Sequence, residues 1–166
     1  AAMLWKCRVE DFISIHPKEL GREADNRVLE ALLRKWEGKV DTKLGHVLCV
    51  LENERHGLGL AQDGTGYVLY KVSLTLLVSN PLRGEICDMI VSEATPAGLF
   101  GRVGPVEVFV SVGQMHPSYA FVNEEPGVFV SQDPSQRDIS VGDCVRVQIL
   151  GVSRNDPEKI QCVAGC

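Results

Sequence analysis

Lysine and arginine are scarce in the second half of this 166-residue chain: residues 81–166 hold six of them against eleven Asp/Glu, whereas residues 1–80 hold eleven of each. So few cations exclude a strong, indiscriminate grip on nucleic acid, which needs clustered positive charge to displace counterions. The change in balance is also the first sign of a domain boundary. No apolar run approaches the ~20 residues that a membrane span requires, and no secretory leader is recognisable, so no membrane partner is expected. The six cysteines (Cys7, Cys49, Cys87, Cys144, Cys162 and Cys166) form no C-x-x-C pair, and a zinc site is not expected from that spacing. A chain of this size builds a core without staples, so the cysteines are read as buried free thiols of a reducing compartment. Catalytic patterns are missing too. His16, His46, His56 and His116 lie beside no Ser or Cys nucleophile motif, and neither H-E-x-x-H nor G-x-S-x-G occurs. Glu124-Glu125 sits in a Pro-rich polar stretch and reads as solvated surface. The expectation is a protein that is not an enzyme, with no cofactor and no metal.

The first half carries two clear periods. Residues 4–15 lean towards β structure, with Val9, Phe12, Ile13 and Ile15 available for burial. Pro17 stops them, because it cannot donate to a ladder and biases its predecessor to extended geometry. After Gly21 the spacing becomes three and four: Val28, Leu29, Leu32, Leu33 and Trp36 share one helical stripe, and Arg27, Glu30, Arg34, Lys35 and Glu37 fill the other faces. Gly38 stands where a left-handed C-terminal cap belongs. Residues 45–51 (G-H-V-L-C-V-L) read as a covered strand. Residues 57–66 (G-L-G-L-A-Q-D-G-T-G) read as a glycine-rich loop exposing Leu58 and Leu60, with Asp63-Gly64 as turn chemistry. It lacks the Lys-Ser/Thr that ends a P-loop, which argues against nucleotide binding. Val68, Tyr70, Val72, Leu74, Leu76 and Val78 then fall on one parity, and a one-residue slip would expose all six.

Beyond Asn80-Pro81 the pattern is short strands cut by Gly and Pro: residues 85–94, 99–103, 106–112, a weak one at 128–131, 144–152 and 160–163. This density of short strands fits a small closed barrel of the five-stranded OB type. Residues 115–138, with Pro117, Pro126 and Pro134, read as an insertion or mobile connection with room for a short helix. The expected architecture is α+β followed by all-β: residues 1–80 a helix on a small antiparallel sheet, residues 81–166 the barrel.

Several stretches resemble the RNA polymerase stalk family. They are the opening that closes on I-S-I-H-P before residue 18, the helix ending W-E-G (Trp36 to Gly38), and K-L-G-H-V-L-C-V-L (Lys43 to Leu51), the last similar to the polymerase II branch. Asp63-Gly64, the strand to Asn80-Pro81, then Leu82-Arg83-Gly84-Glu85 and G-x-V-G-P-V-x-V-F-V (Gly101 to Val110) follow in the family's order; the last two resemble its S1-type OB domain. Two departures stand out. The chain ends at Cys166, short of the family's usual C-terminal tail, so contacts made by that tail are not carried over. Ala97 and Ser111 replace the aromatic and the His that many S1 domains carry there. The resemblance implies a nuclear, non-catalytic subunit that docks on core RNA polymerase through a first, tip domain. It further implies a heterodimer with a smaller helical stalk subunit, and contact between the barrel and nascent single-stranded RNA.

Strand parity nominates the RNA surface. Valines 106, 108, 110 and 112 share a core face, as do Val145, Val147 and Ile149, which turns Phe100, Arg102, Phe109, Arg146 and Lys159 outward. Two rings for stacking and three cations suit weak, sequence-independent contact with a single strand. Leu58, Gly59, Leu60, Asp63 and Gly64 are the candidates for polymerase docking, and Leu69, Leu77 and Tyr119 for the smaller subunit. The alternatives are an equivalent subunit of RNA polymerase I, III or the archaeal enzyme, and a free S1-domain RNA-binding protein; the last predicts a basic barrel, against the charge observed.

Overall fold

Strand alternation and one helical stripe build the first of two compact units, Leu4–Val78. The computed structural model describes residues 4–19, 21, 24–156 and 158–166. The unit contains β1 (Leu4–Ile15), α1 (Ala24–Trp36), β2 (Val40–Asp41) and β3 (Gly45–Ala61), and β4 (Val68–Ser79) runs to its end. The sheet order is β1-β4-β3-β2. α1 lays its stripe over β1 and β3, so Val28 and Leu32 meet Ile13, Ile15, Val47, Val72, Leu74, Leu76 and Val78 in one core. Gly38 closes the helix at φ 73°, a left-handed conformation that costs glycine little.

Asp11 ties helix to sheet. Its carboxylate accepts the Trp36 indole N–H at 2.8 Å and the Lys35 ammonium at 2.9 Å. Burial would push this carboxyl up, but hydrogen bonds from Lys35, the Phe12 N–H and Trp36, with the Lys35 charge, outweigh it and hold the group below its ordinary value.

Two expectations fail in this unit. Phe12 is 54% exposed, because it takes the parity opposite to Ile13 and Ile15. The segment 57–66 is not a loop throughout: β3 continues to Ala61, and only the residues after it turn. Pairing continues because Gly59 lies under its neighbours on β4; a Cβ there would stand 2.2 Å from Val68 Cγ1 and 2.7 Å from the Tyr70 ring.

The second unit covers Ser79–Cys166 among the described residues. It holds β5 (Ile86–Thr95), β6 (Gly98–Val103), β7 (Val106–Ser111), β8 (Tyr119–Val122), β9 (Val128–Ser131), β10 (Cys144–Ser153) and β11 (Gln161–Gly165). Five of them close a barrel in the order β10-β11-β7-β6-β5. The β11–β7 pair is parallel and the other ladders are antiparallel. Three strands in a meander, followed by two that return to seal the gap, is the OB connectivity. Met89, Val91, Leu99, Val106, Val108, Val110, Val147, Ile149, Ile160 and Ala164 fill the interior.

Val112, expected on that core face, is 48% exposed, because β7 ends at Ser111 and the chain enters a 3-10 turn. The segment 115–138 is ordered as a β8–β9 hairpin instead of a connection bearing a helix. Phe129 anchors it, fully buried, with backbone bonds to Ile139 in both directions. The thiols do not all lie inside. Cys162 is buried and Cys7, Cys49 and Cys87 are half-buried, whereas Cys144 and Cys166 are exposed, Cys144 sharing the outward parity of Arg146.

Candidate nucleic-acid interface

The β6–β7 hairpin places the aromatic pair. Its two-residue turn at Gly104-Pro105 sets Val103 opposite Val106, which fixes Arg102 opposite Glu107 and Phe100 opposite Phe109. All four of the latter lie on the outward parity, between buried Leu99, Val108 and Val110. The two rings stand 4.7 Å apart at 37°, within the geometry that favours aromatic pairs. Strand β11 extends each row: Gln161 beside Glu107, and Val163 beside Phe109. On the other flank Glu93 neighbours Phe100 where β5 shifts register, and the Ser92 hydroxyl donates to the Phe100 carbonyl at 3.1 Å. With Gly151, Val152 and Ser153 of β10, these residues line an open cleft of about 830 Å³.

Two cations at this cleft share one carboxylate. Lys159 Nζ lies 3.1 Å and Arg102 Nη2 3.9 Å from the Glu107 carboxylate. The Lys159 hydrogen bond works against partial burial and, with the Gln161 bond and the charges of Lys159 and Arg102, holds the Glu107 carboxyl below its ordinary range. Phe100, Arg102, Phe109 and Lys159 are therefore brought together. Arg146 is not among them: it faces Asp88, Nε to Oδ1 3.2 Å, and lines a separate depression with Tyr119, Arg137 and Asp143. Outward parity on a barrel spreads residues around a circumference, which is why it does not guarantee a shared face.

In the first unit, the far end of β3 projects Leu58 (94% exposed) and Leu60 (72%) to solvent. Gly59 faces the other side, beneath Val68 and Tyr70. Asp63 and Gly64 form the exposed turn, Gly64 at φ 86°. Arg55 steadies this arm, stacked 5.0 Å over the Tyr70 ring and 2.8 Å from Asp25 at the start of α1. Leu69, Leu77 and Tyr119 are half-buried, and the Tyr119 hydroxyl donates to the Arg137 carbonyl at 3.1 Å.

Residues 10–66, from β1 to the turn after β3, match the SHS2 domain found in the N terminus of Rpb7p/Rpc25p/MJ0397. The chain is 30% identical over 161 residues to the DNA-directed RNA polymerase II subunit RPB7 of Glycine max, spanning 97% of this chain and 90% of that protein. The chain belongs to the Rpb7-type family of RNA polymerase stalk subunits. It is also 31% identical over 134 residues to the RNA polymerase V subunit 7 of Arabidopsis thaliana, 80% of this chain and 74% of that one. With the archaeal polymerase subunit Rpo7 of Sulfolobus acidocaldarius it shares 24% over 146 residues, 88% and 79% of the two chains. Membership is thus carried by both halves, since these alignments extend well beyond the matched SHS2 segment.

For this Rpb7-type chain, parity located the rings but not the whole cleft. Glu107 appears in sequence as one more outward residue. Its pairing with Arg102 was recoverable from the Gly104-Pro105 turn, because a two-residue hairpin loop fixes cross-strand register. Gln161 and Val163 had no local signal, because a parallel partner more than fifty residues away is set only by barrel closure.

Proposed function

We propose that this Rpb7-type subunit serves RNA polymerase II in the nucleus, docking on the core enzyme beside a smaller helical partner and contacting nascent single-stranded RNA. Residues 1–80 act as the docking part, with Leu58, Gly59, Leu60, Asp63 and Gly64 as the contact, and residues 81–166 as the RNA-contacting barrel. The observation that carries the RNA reading is the outward Phe100–Phe109 pair, Phe100 exposed and Phe109 half-buried, in an open cleft flanked by Arg102 and Lys159. Stacking contributes about 1–3 kcal/mol per base and accepts any base, which suits a strand that must slide. Leu58 and Leu60 support the docking reading: two large apolar side chains held in water on an ordered arm are surface that a partner would cover. The relatives' names favour polymerase II, and the polymerase V and archaeal relatives make an equivalent subunit of another polymerase the second reading.

Affinity purification of the tagged chain, with identification of co-eluting proteins and ultraviolet crosslinking of bound RNA, tests this. Core polymerase II subunits and one small subunit should co-elute with the wild type, and the identity of the largest subunit separates the two readings. Leu58→Asp with Leu60→Asp should abolish co-elution of the core. Phe100→Ala with Phe109→Ala should keep co-elution and lower crosslinked RNA at least about fivefold, the equivalent of 1 kcal/mol. Unchanged crosslinking would remove RNA from this cleft.

A further inference from the structure

The cleft holds its own counter-ion. Glu107 sits on β7 between Arg102 of β6 and Gln161 of β11, and it meets both cations at 3.9 Å (Arg102) and 3.1 Å (Lys159). Its place is set by two ladders, so it cannot drift away from the rings as a surface side chain on a loop could. Arg102, Phe100 and Phe109 share that platform, so a strand stacked on the rings would bring its phosphates within reach of those cations. Glu107 brings one negative charge to these two cations, so a phosphate arriving there meets positive charge already partly offset and in part exchanges one anion for another. It releases little of the counterion atmosphere that drives ionic binding.

We infer that Glu107 determines how this cleft grips a strand: by offsetting one of the two positive charges of Arg102 and Lys159 it leaves RNA held mainly by its bases on Phe100 and Phe109, and keeps the phosphates from locking the strand in place. The inference rests on the reading that RNA stacks on those rings. Glu107 is a regulating residue of the cleft. Its removal should tighten binding, the opposite of what loss of a contact residue does.

The test is fluorescence anisotropy of a labelled twelve-nucleotide single-stranded RNA of mixed sequence, with the full chain, at 50 and 200 mM salt. The proteins are wild type, Glu107→Gln, Glu107→Thr, Phe109→Ala, and Glu107→Gln combined with Arg102→Ala and Lys159→Ala. Each phosphate contact on a single strand contributes about 0.7 to the slope of log affinity against log salt; one carboxylate offsets one positive charge, so its removal steepens the slope by about 0.7. Glu107→Gln and Glu107→Thr should therefore bind more tightly than wild type at 50 mM, and their advantage should shrink about 2.6-fold by 200 mM. The triple substitution should lose that advantage. If Phe109→Ala weakens binding while both Glu107 substitutions match the wild type in affinity and slope, the counter-ion role is overturned and the stacking reading stands. If Phe109→Ala binds as wild type does, the stacking reading fails, and this inference with it.

Discussion

Replacing Asp11 by Ala separates the energetics of the first unit from those of the barrel. The carboxylate is 15% exposed and accepts the Trp36 indole at 2.8 Å, the Lys35 ammonium at 2.9 Å and the Phe12 amide at 2.8 Å. A hydrogen bond to a charged group contributes about 1.5–3 kcal/mol. The Lys35 side chain is 50% exposed, so water screens that pair and it adds about 0.5 kcal/mol at most. Asp11→Ala should then cost about 2–3 kcal/mol, carried mainly by the Trp36 bond. Both tryptophans, Trp5 and Trp36, belong to this unit, so urea unfolding followed by tryptophan fluorescence reports on it and not on the barrel. Acidity gives an independent check. The folded carboxyl lies below the ordinary aspartate value, so its stabilisation is present above that ordinary value and is lost as pH falls through the folded one. The gap between wild type and Asp11→Asn should hold between about pH 5 and 8 and close below about pH 3.8. An Asp11→Ala protein within 0.5 kcal/mol of wild type, or a gap that widens in acid, would refute this account of how α1 is held.

Two further predictions concern the second unit. Phe129 is fully buried, with the Phe121 ring 5.4 Å away; Phe129→Ala should cost about 3–5 kcal/mol in thermal or urea unfolding followed by far-ultraviolet dichroism, and a loss under about 1 kcal/mol would mean the β8–β9 hairpin is not part of the core. Burial, and then the neighbouring Cys87, push the Cys162 thiol up to about 12; since the thiolate is the reactive form, exposed Cys144 should be modified by a disulfide reagent at pH 8 well before Cys162, and equal rates would contradict the barrel packing.

Periodicity was informative wherever one face of an element is buried. Val72, Leu74, Leu76 and Val78 are buried on the core side of β4 with Tyr70 packed against that core, and Val28, Leu32 and Trp36 lie on the packed side of α1, because burial imposes a period that sequence records directly; Val68, half-buried at the start of β4, lies outside that cluster. It misled where local chemistry had two outcomes. Glycines at 57 and 59 suggest a loop, yet a strand accepts Gly59 when a neighbouring tyrosine occupies the space above it. Phe12 is as apolar as Ile13, and only the position of the helix decides which of the two is covered.

Alternation, the helical stripe and the hairpin turn are local properties, so the amino-acid order was enough for the helix, most of the strands, the outward rings Phe100 and Phe109 and the exposed pair Leu58 and Leu60, but not for the end of β3 or the β8–β9 hairpin. Which outward residues share a surface was settled only when the barrel closed. Closure brought β11 alongside β7, set Glu107 between Arg102 and Lys159, and carried Arg146 around the circumference to Asp88. Those relations depend on strand order and curvature, which arise from the packing of the whole barrel and leave no periodic trace in any one strand.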